Sequence, residues 1–332
     1  MKKRRWKMLM VGTSLILTFS IVLYTFWDNN RLIIVKENIL IENLPDEFEG
    51  FTILQVTDLH EKEFGNNNKK LLDAINSVDY NAIVFTGDVL DSLESKNYDY
   101  FYTLLDGIKN KENAFFTPGN TDPEIYGLDL KGNLMKNEFV TGMEKRGVKL
   151  LESIESINNQ EAKLYLADFE MSLMTSDAVR QDYNGKVRPK YAVLPEYSAY
   201  ESTLVDRISV IDELNDSDVL IALNHYPVID ARVDYIKKQK DYEFRKYDLI
   251  IAGHYHGGQI RIPFLGALFV PEPWYNNGGI LPPQDRVKGF WEYKGTKQYV
   301  SAGLGSSDAI SVMNFRLFNT PEINVLSLTG GE

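Results

Sequence analysis

The 332-residue sequence predicts an α/β fold, and three observations carry that prediction. Short apolar runs of strand character alternate with amphipathic, helix-type segments. Five of the apolar runs break into a turn that delivers a polar residue able to hold a metal. All four histidines of the chain sit at such places: His60 in Asp58-Leu59-His60, His225 in Asn224-His225-Tyr226-Pro227, and His254 and His256 in Gly253-His254-Tyr255-His256-Gly257.

In chain order, the first seven residues hold five basic ones, and an uncharged run from Met8 to Trp27 follows. Twenty residues at about 1.5 Å rise reach about 30 Å, the hydrocarbon thickness of a bilayer. The basic cluster before the run predicts a cytoplasmic N-terminus, with Tyr24 and Trp27 at the outer interface. A cleaved signal peptide is the rival reading, but the run is long and has no Ala-x-Ala site. Residues 1–30 are therefore expected to be a basic segment and single-pass anchor, and residues 31–332 an extracytoplasmic domain at the cell membrane.

Arg31 to Ile41 alternates and reads as an opening strand. Phe51 to Thr57 is a strand running into Asp58. Asn67 to Val78 reads as a helix with Leu71, Leu72 and Ile75 on one face. Ala82 to Thr86 is a buried strand ending at Gly87-Asp88, Tyr98 to Ile108 a helix, and Asn113 to Thr117 a strand ending at Pro118-Gly119-Asn120. Val219 to Leu223 and Leu249 to Ala252 are short apolar strands ending at His225 and His254. Sites in open α/β sheets gather beyond the carboxyl ends of strands. Five such ends converging between Asp58 and His256 argue for one domain. The polar stretch from Asn158 to Tyr200, with Lys186, Arg188 and Lys190, breaks the rhythm and reads as an insertion or cap over the site.

Composition narrows the chemistry. Hydrophobic residues at 44% and aromatics at 12% suffice for a packed core. Cysteine is absent, which removes disulfides and thiolate metal sites. The net charge is −11, and beyond the basic N-terminus 31 basic residues face 47 acidic ones. Such a body argues against nucleic acid as a partner.

Asp58, His60, Asp88, Asn120, His225, His254 and His256 make two carboxylates, one amide oxygen and four imidazoles. One ion takes three or four protein ligands, so seven with one bridging carboxylate suffice for two. Mixed nitrogen and oxygen donors suit manganese, iron or zinc rather than calcium or magnesium. Strand alternation points Asp58 and His60 the same way. The glycine turn around His254 and His256 instead allows their imidazoles to serve different ions.

Asp58-Leu59-His60, Gly87-Asp88-Val89-Leu90-Asp91, Gly119-Asn120, Asn224-His225 and Gly253-His254-Tyr255-His256 resemble, in order and spacing, the five blocks of the calcineurin-like metallophosphoesterases. Gly253 to Pro263, with Gly303-Leu304-Gly305 and Pro321-Glu322-Ile323, resembles their membrane-anchored bacterial subgroup. The resemblance implies a four-layer α/β/β/α sandwich of two mixed sheets and a pair of divalent metals. It assigns Asp58, His60 and His256 to one ion and Asn120, His225 and His254 to the other, with Asp88 bridging. Asp91 would orient a ligand imidazole. The implied reaction is in-line attack on phosphorus by hydroxide generated at the two ions. The family continues Gly-Asn-His-Asp/Glu where this chain has Gly119-Asn120-Thr121-Asp122, and threonine supplies no proton near neutral pH. Asn120, as ligand and phosphate holder, and Asp122, which in the family supports the missing histidine, are the candidate catalytic residues; Asp122 itself, water, or a lysine or arginine of the insert could supply the proton. Expected substrates are phosphodiesters or phosphomonoesters at the outer membrane face, in phosphorylated small molecules, lipid headgroups or wall polymers. The alternative is a metal-binding, catalytically weakened ligand-binding or sensor protein.

Overall fold

The computed structural model describes residues 2–175, 189–215, 217–307 and 314–331. The first half holds α1 (Lys2–Asn29), β1 (Ile33–Ile41), β2 (Thr52–Val56), α2 (Lys69–Asn76), β3 (Ala82–Phe85), α3 (Tyr98–Gly107) and β4 (Ala114–Phe116). A small hairpin, β5 (Tyr126–Leu128) and β6 (Leu134–Lys136), then leads into α4 (Glu138–Glu144) and β7 (Lys149–Leu150). Next come β8 (Ile154–Asn159), β9 (Ala162–Asp168), α5 (Phe169–Ser172), α6 (Pro195–Ile208), β10 (Val219–Leu223), α7 (Asp230–Ile236) and β11 (Leu249–Ala252). A second small hairpin, β12 (Arg261–Ile262) and β13 (Gly266–Ala267), precedes β14 (Gly289–Tyr293), β15 (Thr296–Val300) and β16 (Glu322–Gly330).

Two six-stranded mixed sheets result. The first runs β1-β16-β2-β3-β4-β7 and the second β14-β15-β11-β10-β9-β8. The strands of the first are parallel to their neighbours except where β16 meets β2. The second has a parallel centre with antiparallel partners at each edge. Strand alternation sorts side chains between layers. Ile53, Val84 and Phe115 meet Ile221, Leu223 and Ile251 between the sheets. On the outer face of the first sheet, Leu54, Val56, Ile83 and Phe85 pack under Leu71 and Ile75 of α2, Phe101 and Leu105 of α3, and Phe139 of α4. On the outer face of the second, Leu220, Ala222 and Ile250 pack under α5, α6 and α7 through Phe169, Leu204, Ile208 and Val233. The result is helix, sheet, sheet, helix, as the family resemblance implies.

Two expectations need correction. The helix expected from Asn67 begins at Lys69, because Asn67 and Asn68 take left-handed backbone. The Asn68 side-chain oxygen is spent accepting the Phe64 amide. The stretch from Asn158 onward is not an insertion as far as Ser172. β9 pairs with β10 from Val219–Leu164 to Leu223–Asp168 and lies inside the second sheet. Its alternation of Leu164 and Leu166 with Lys163 and Tyr165 is the strand signal that the polar average concealed. Lys186 and Arg188 lie outside the described residues. Lys190 opens a short 3-10 turn and donates its amide to Glu124.

The helix α1 is long and apolar enough to cross a membrane, with a mean hydropathy of 1.9 over its most apolar window. Its carboxyl end docks on the body. The Asn29 side chain donates to the Arg316 carbonyl (2.6 Å) and accepts the Arg316 amide (2.8 Å). The Asp28 carboxylate takes Arg31 and Thr320, and the Tyr24 ring packs on Phe318 at 5.1 Å.

Candidate metal centre

The loops after β2, β3, β4, β10 and β11 meet at one edge of the sandwich, so all seven residues named from the sequence belong to strand ends of two facing sheets. The turns that deliver them are strained. Asp58, His60, Asp88, His254 and His256 all have φ between 46° and 70°. Left-handed backbone is uncommon for residues with a side chain, and five cases in one site mark a functional constraint. Glycine makes the closeness possible. A Cβ at Gly303 would lie 2.7 Å from the Asp58 Cβ, and one at Gly119 would drive into the Asp88 carboxylate.

Two groups of donors form. Asp58, His60, Asp88 and His256 converge in one, and Asp88, His225 and His254 in the other, so Asp88 is common to both. His60 Nε2 stands 3.2 Å from His256 Nε2 and 3.5 Å from Asp88 Oδ2. His225 Nε2 stands 3.1 Å from His254 Nδ1, 3.2 Å from Asp88 Oδ2 and 3.3 Å from Asn120 Oδ1. Bonds of about 2.1 Å place neighbouring ligand atoms about 3.0–3.4 Å apart, for octahedral to tetrahedral angles. Four of the five separations fall in that range, and the distance from His60 to Asp88, 3.5 Å, lies just above it.

The outward ring nitrogens support the same reading. His225 Nδ1 donates to the Thr86 carbonyl (2.8 Å), His256 Nδ1 to the Gly305 carbonyl (3.4 Å), and His60 Nδ1 faces Asp91 Oδ1 at 3.5 Å. A neutral imidazole that donates from one nitrogen presents a lone pair at the other. Those lone pairs point at each other, an arrangement that a cation between them satisfies. Asp91 thus occupies the position expected of an orienting carboxylate.

Protons respond to the same field. Burial opposes charge on His60, but its contacts with Asp88 and Asp91 outweigh this and raise it to about 10. Burial likewise opposes His225, which Asp88 lifts to about 9. Burial and the neighbouring imidazoles hold His254 down to about 3 and His256 well below its usual value. Asp58 is pushed up by burial to about 6, whereas the imidazoles overcome burial and hold Asp88 well below the carboxylate range. The site therefore draws two positive charges, one into each donor group, even when only protons supply them.

The residues after Asn120 do a different job. Asp122 accepts the amides of Asp88 and Gly119 at one oxygen and those of Val89 and Leu90 at the other. It clamps the Asp88 turn to the Gly119 turn, and both its oxygens are engaged. Thr121 donates its hydroxyl to the Leu90 carbonyl (2.6 Å) and its amide to Asp88 Oδ1 (2.9 Å). A cavity of about 190 Å³ opens beside Asn120, walled by Glu124, Tyr126, Tyr191, Asn224 and Tyr226.

Arg316 escaped the sequence reading. It is fully buried and donates to the carbonyls of Ala302, Gly305, Asn319 and His256. It ties the His256 turn to the Gly303-Leu304-Gly305 loop, and its own backbone holds the end of α1. The available signal was a lone charge between Phe315 and Leu317-Phe318.

The chain is similar to known proteins. An uncharacterized metallophosphoesterase of Bacillus subtilis, YkuE, is 26% identical over 293 residues, which are 86% of this chain and 81% of that protein. An uncharacterized metallophosphoesterase of Campylobacter jejuni is 25% identical over 305 residues, covering 91% of this chain and 65% of the relative. Among solved structures, a phosphopantetheinyl hydrolase of Mycobacterium tuberculosis aligns with a TM-score of 0.39 and 12% identity, over 77% of this chain and 91% of that one. That likeness is too slight to carry fold or substrate across. The sequence model of the calcineurin-like phosphoesterases matches residues 51–258, the span that holds all seven clustered donors. The chain is a member of the calcineurin-like phosphoesterase family.

Proposed function

We propose that the protein is a phosphoesterase with two divalent transition metals, manganese, iron or zinc, held at the outer face of the membrane by α1. The observation that carries this reading is Asp88, common to two groups of buried donors. One ion would take Asp58, His60 and His256, the other Asn120, His225 and His254, with Asp88 between them. When bound, such a pair supplies a nucleophile at neutral pH and neutralises phosphoryl charge.

The chain's own residues do the rest. Asp122 fixes the spacing of Asp88 and Asn120. The Asn120 side-chain oxygen faces His225, which leaves its amide hydrogens for a phosphoryl oxygen. The cavity beside Asn120 receives the remainder of a phosphodiester or phosphomonoester. The Asp122 oxygens and the Thr121 hydroxyl are committed elsewhere, so among the described groups beside Asn120 neither protonates the leaving oxygen, and water takes that role. The committed Thr121 also favours a second reading, a weakened enzyme that binds a phosphorylated ligand. The acidic body favours phosphorylated small molecules, lipid headgroups or wall polymers over nucleic acid.

Metal analysis with turnover tests this. The purified chain should hold close to two ions and hydrolyse aryl phosphate esters. Asp88→Ala should lose both ions and activity, and His225→Ala should keep the ion at Asp58. Two retained ions in Asp88→Ala would refute the shared site. Ligand binding without turnover in the loaded protein would favour the second reading.

A further inference from the structure

We propose that the β12–β13 hairpin and the loop beside it seat in the outer leaflet of the bilayer that holds α1, so that the site works on phosphoesters embedded in that leaflet. This rests on the membrane-anchored reading above and narrows its substrate to lipid-borne esters. The hairpin turn is Pro263-Phe264-Leu265. Phe264 is fully exposed, and Ile262, Leu265, Phe269, Ile280 and Leu281 are each more than 40% exposed. Phe269 bridges to Ile280 and the Leu281 amide donates to the Leu268 carbonyl, so the loop lies beside the chain leaving the hairpin, whose own strands pair through Ile262 and Gly266. Single exposed apolar residues are ordinary, but a contiguous patch marks a contact surface. The chain withholds charge there. Residues 262–271 and 276–283 carry none, in a body with 47 acidic residues. Phe264 also has φ 67°, a left-handed conformation that costs a bulky residue and is justified where the ring is needed outside.

Continuity with α1 selects the bilayer as the occupant. The hairpin root pairs with the loop that grips the helix: Ile260 bridges to Leu317, and the Arg261 amide donates to the Leu317 carbonyl (2.9 Å). On either side of Leu317, Arg316 bonds to Asn29 and Phe318 packs on Tyr24. Tyr24 lies five residues before the end of α1, about 7 Å along the axis. The hairpin root is thus held at the level where the helix leaves the bilayer. The extended segment from the root at Ile260 to the Phe264 tip adds about 10 Å of reach, the depth at which apolar side chains enter the headgroup boundary. The hairpin starts five residues after His256, so a seated hairpin brings the metal centre down to lipid headgroups.

The absence of cysteine makes the test direct. Single-cysteine variants of the full chain at Phe264, Leu265 and Leu281 carry an environment-sensitive fluorophore. Leu17→Cys, within α1, reports the anchor, and Leu130→Cys, in the exposed β5–β6 turn, reports water. The chains are reconstituted in phosphatidylcholine–phosphatidylglycerol vesicles with spin-labelled quencher lipids. The expected result is quenching at Phe264, Leu265 and Leu281 as at Leu17, and none at Leu130. Quenching at Leu17 alone would overturn the seated hairpin while leaving the anchor intact. No quenching at Leu17 would overturn the anchor and this inference with it. A blue shift that follows protein density rather than quencher would overturn it in favour of self-association. In a second arm, Phe264→Asp with Leu265→Asp should slow hydrolysis of a vesicle-embedded phosphoester roughly tenfold, with hydrolysis of a soluble aryl phosphate unchanged. Equal loss on both substrates would assign the patch a structural role and overturn the proposal.

Discussion

Thr121 occupies the position where the family places a histidine, and its hydroxyl is turned away to the Leu90 carbonyl. The neighbouring carboxylate, Asp122, is bound by four backbone amides and does not offer a free oxygen. The chain's four imidazoles all belong to the metal cluster. In the proposed reaction the leaving group is therefore the weak point. General-acid assistance contributes about 10²–10⁴-fold where the leaving oxygen is a poor one, and little where it departs as a stabilised aryl anion. Thr121→His should accordingly raise kcat on alkyl phosphoesters by at least about tenfold and leave activated aryl phosphates nearly unchanged. Steady-state kinetics on a matched pair of esters checks this. Flat or falling rates on both would show that the missing imidazole is no deficit here.

At the scale of elements, the site is built from turns rather than from strands, and this decides what the sequence discloses. Five apolar runs, each followed by Asp, Asn or His, disclosed the strand ends at which the seven residues cluster. Strand character is plain in the continuous apolar runs Ala82–Phe85 and Val219–Leu223, which are buried at every position. It was hidden in β9, where Lys163 and Tyr165 on one face gave the segment the look of a polar insert. Arg316 was hidden for another reason. Its value comes from carbonyls of residues up to 60 positions away, which no local pattern carries. The Gly303-Leu304-Gly305 loop was visible as a motif, but not as a wall of the site. Gly303, at φ 65°, lies against Asp58 so closely that one methyl group collides with it. Gly303→Ala should therefore displace Asp58, lower occupancy of the ion at Asp58, His60 and His256, and spare the ion at His225. Metal stoichiometry by mass spectrometry decides it, and full occupancy of both sites would sink the argument. Stability should also fall by about 1–3 kcal/mol, from backbone strain and overpacking together.

At the scale of the molecule, each sheet supplies only part of a coordination shell. Asp58, His60, Asp88 and Asn120 come from the first sheet, His225, His254 and His256 from the second, so bound ions would fasten the two halves. A ligand present at about 100 times its Kd adds about 2.7 kcal/mol to the folded state. For a chain of this size that is on the order of 5 °C or more in Tm. Chelation should lower the Tm by at least this much in the wild type and hardly at all in Asp88→Ala. The metal-free protein should then show a pH dependence of its own. His60 and His225 bind protons in the folded state up to about 10 and about 9, against 6.5 for a free imidazole. A raised folded value stabilises fully below 6.5, and the contribution is lost as pH rises towards the folded value. Asp58 and Asp122, raised to about 6, have completed their titration below pH 7. Burial lowers the Lys62 ammonium to about 7, so above that pH the folded state lacks a proton that the unfolded state keeps, and this offsets one of the two imidazoles. The Tm of the chelated protein should thus fall from pH 7 to about pH 9 and level off above it. In the loaded protein ions replace those protons, and metal affinity rises as proton competition falls. Its Tm should not show that decline, and parallel pH profiles for the two forms would contradict metal binding at His60 and His225.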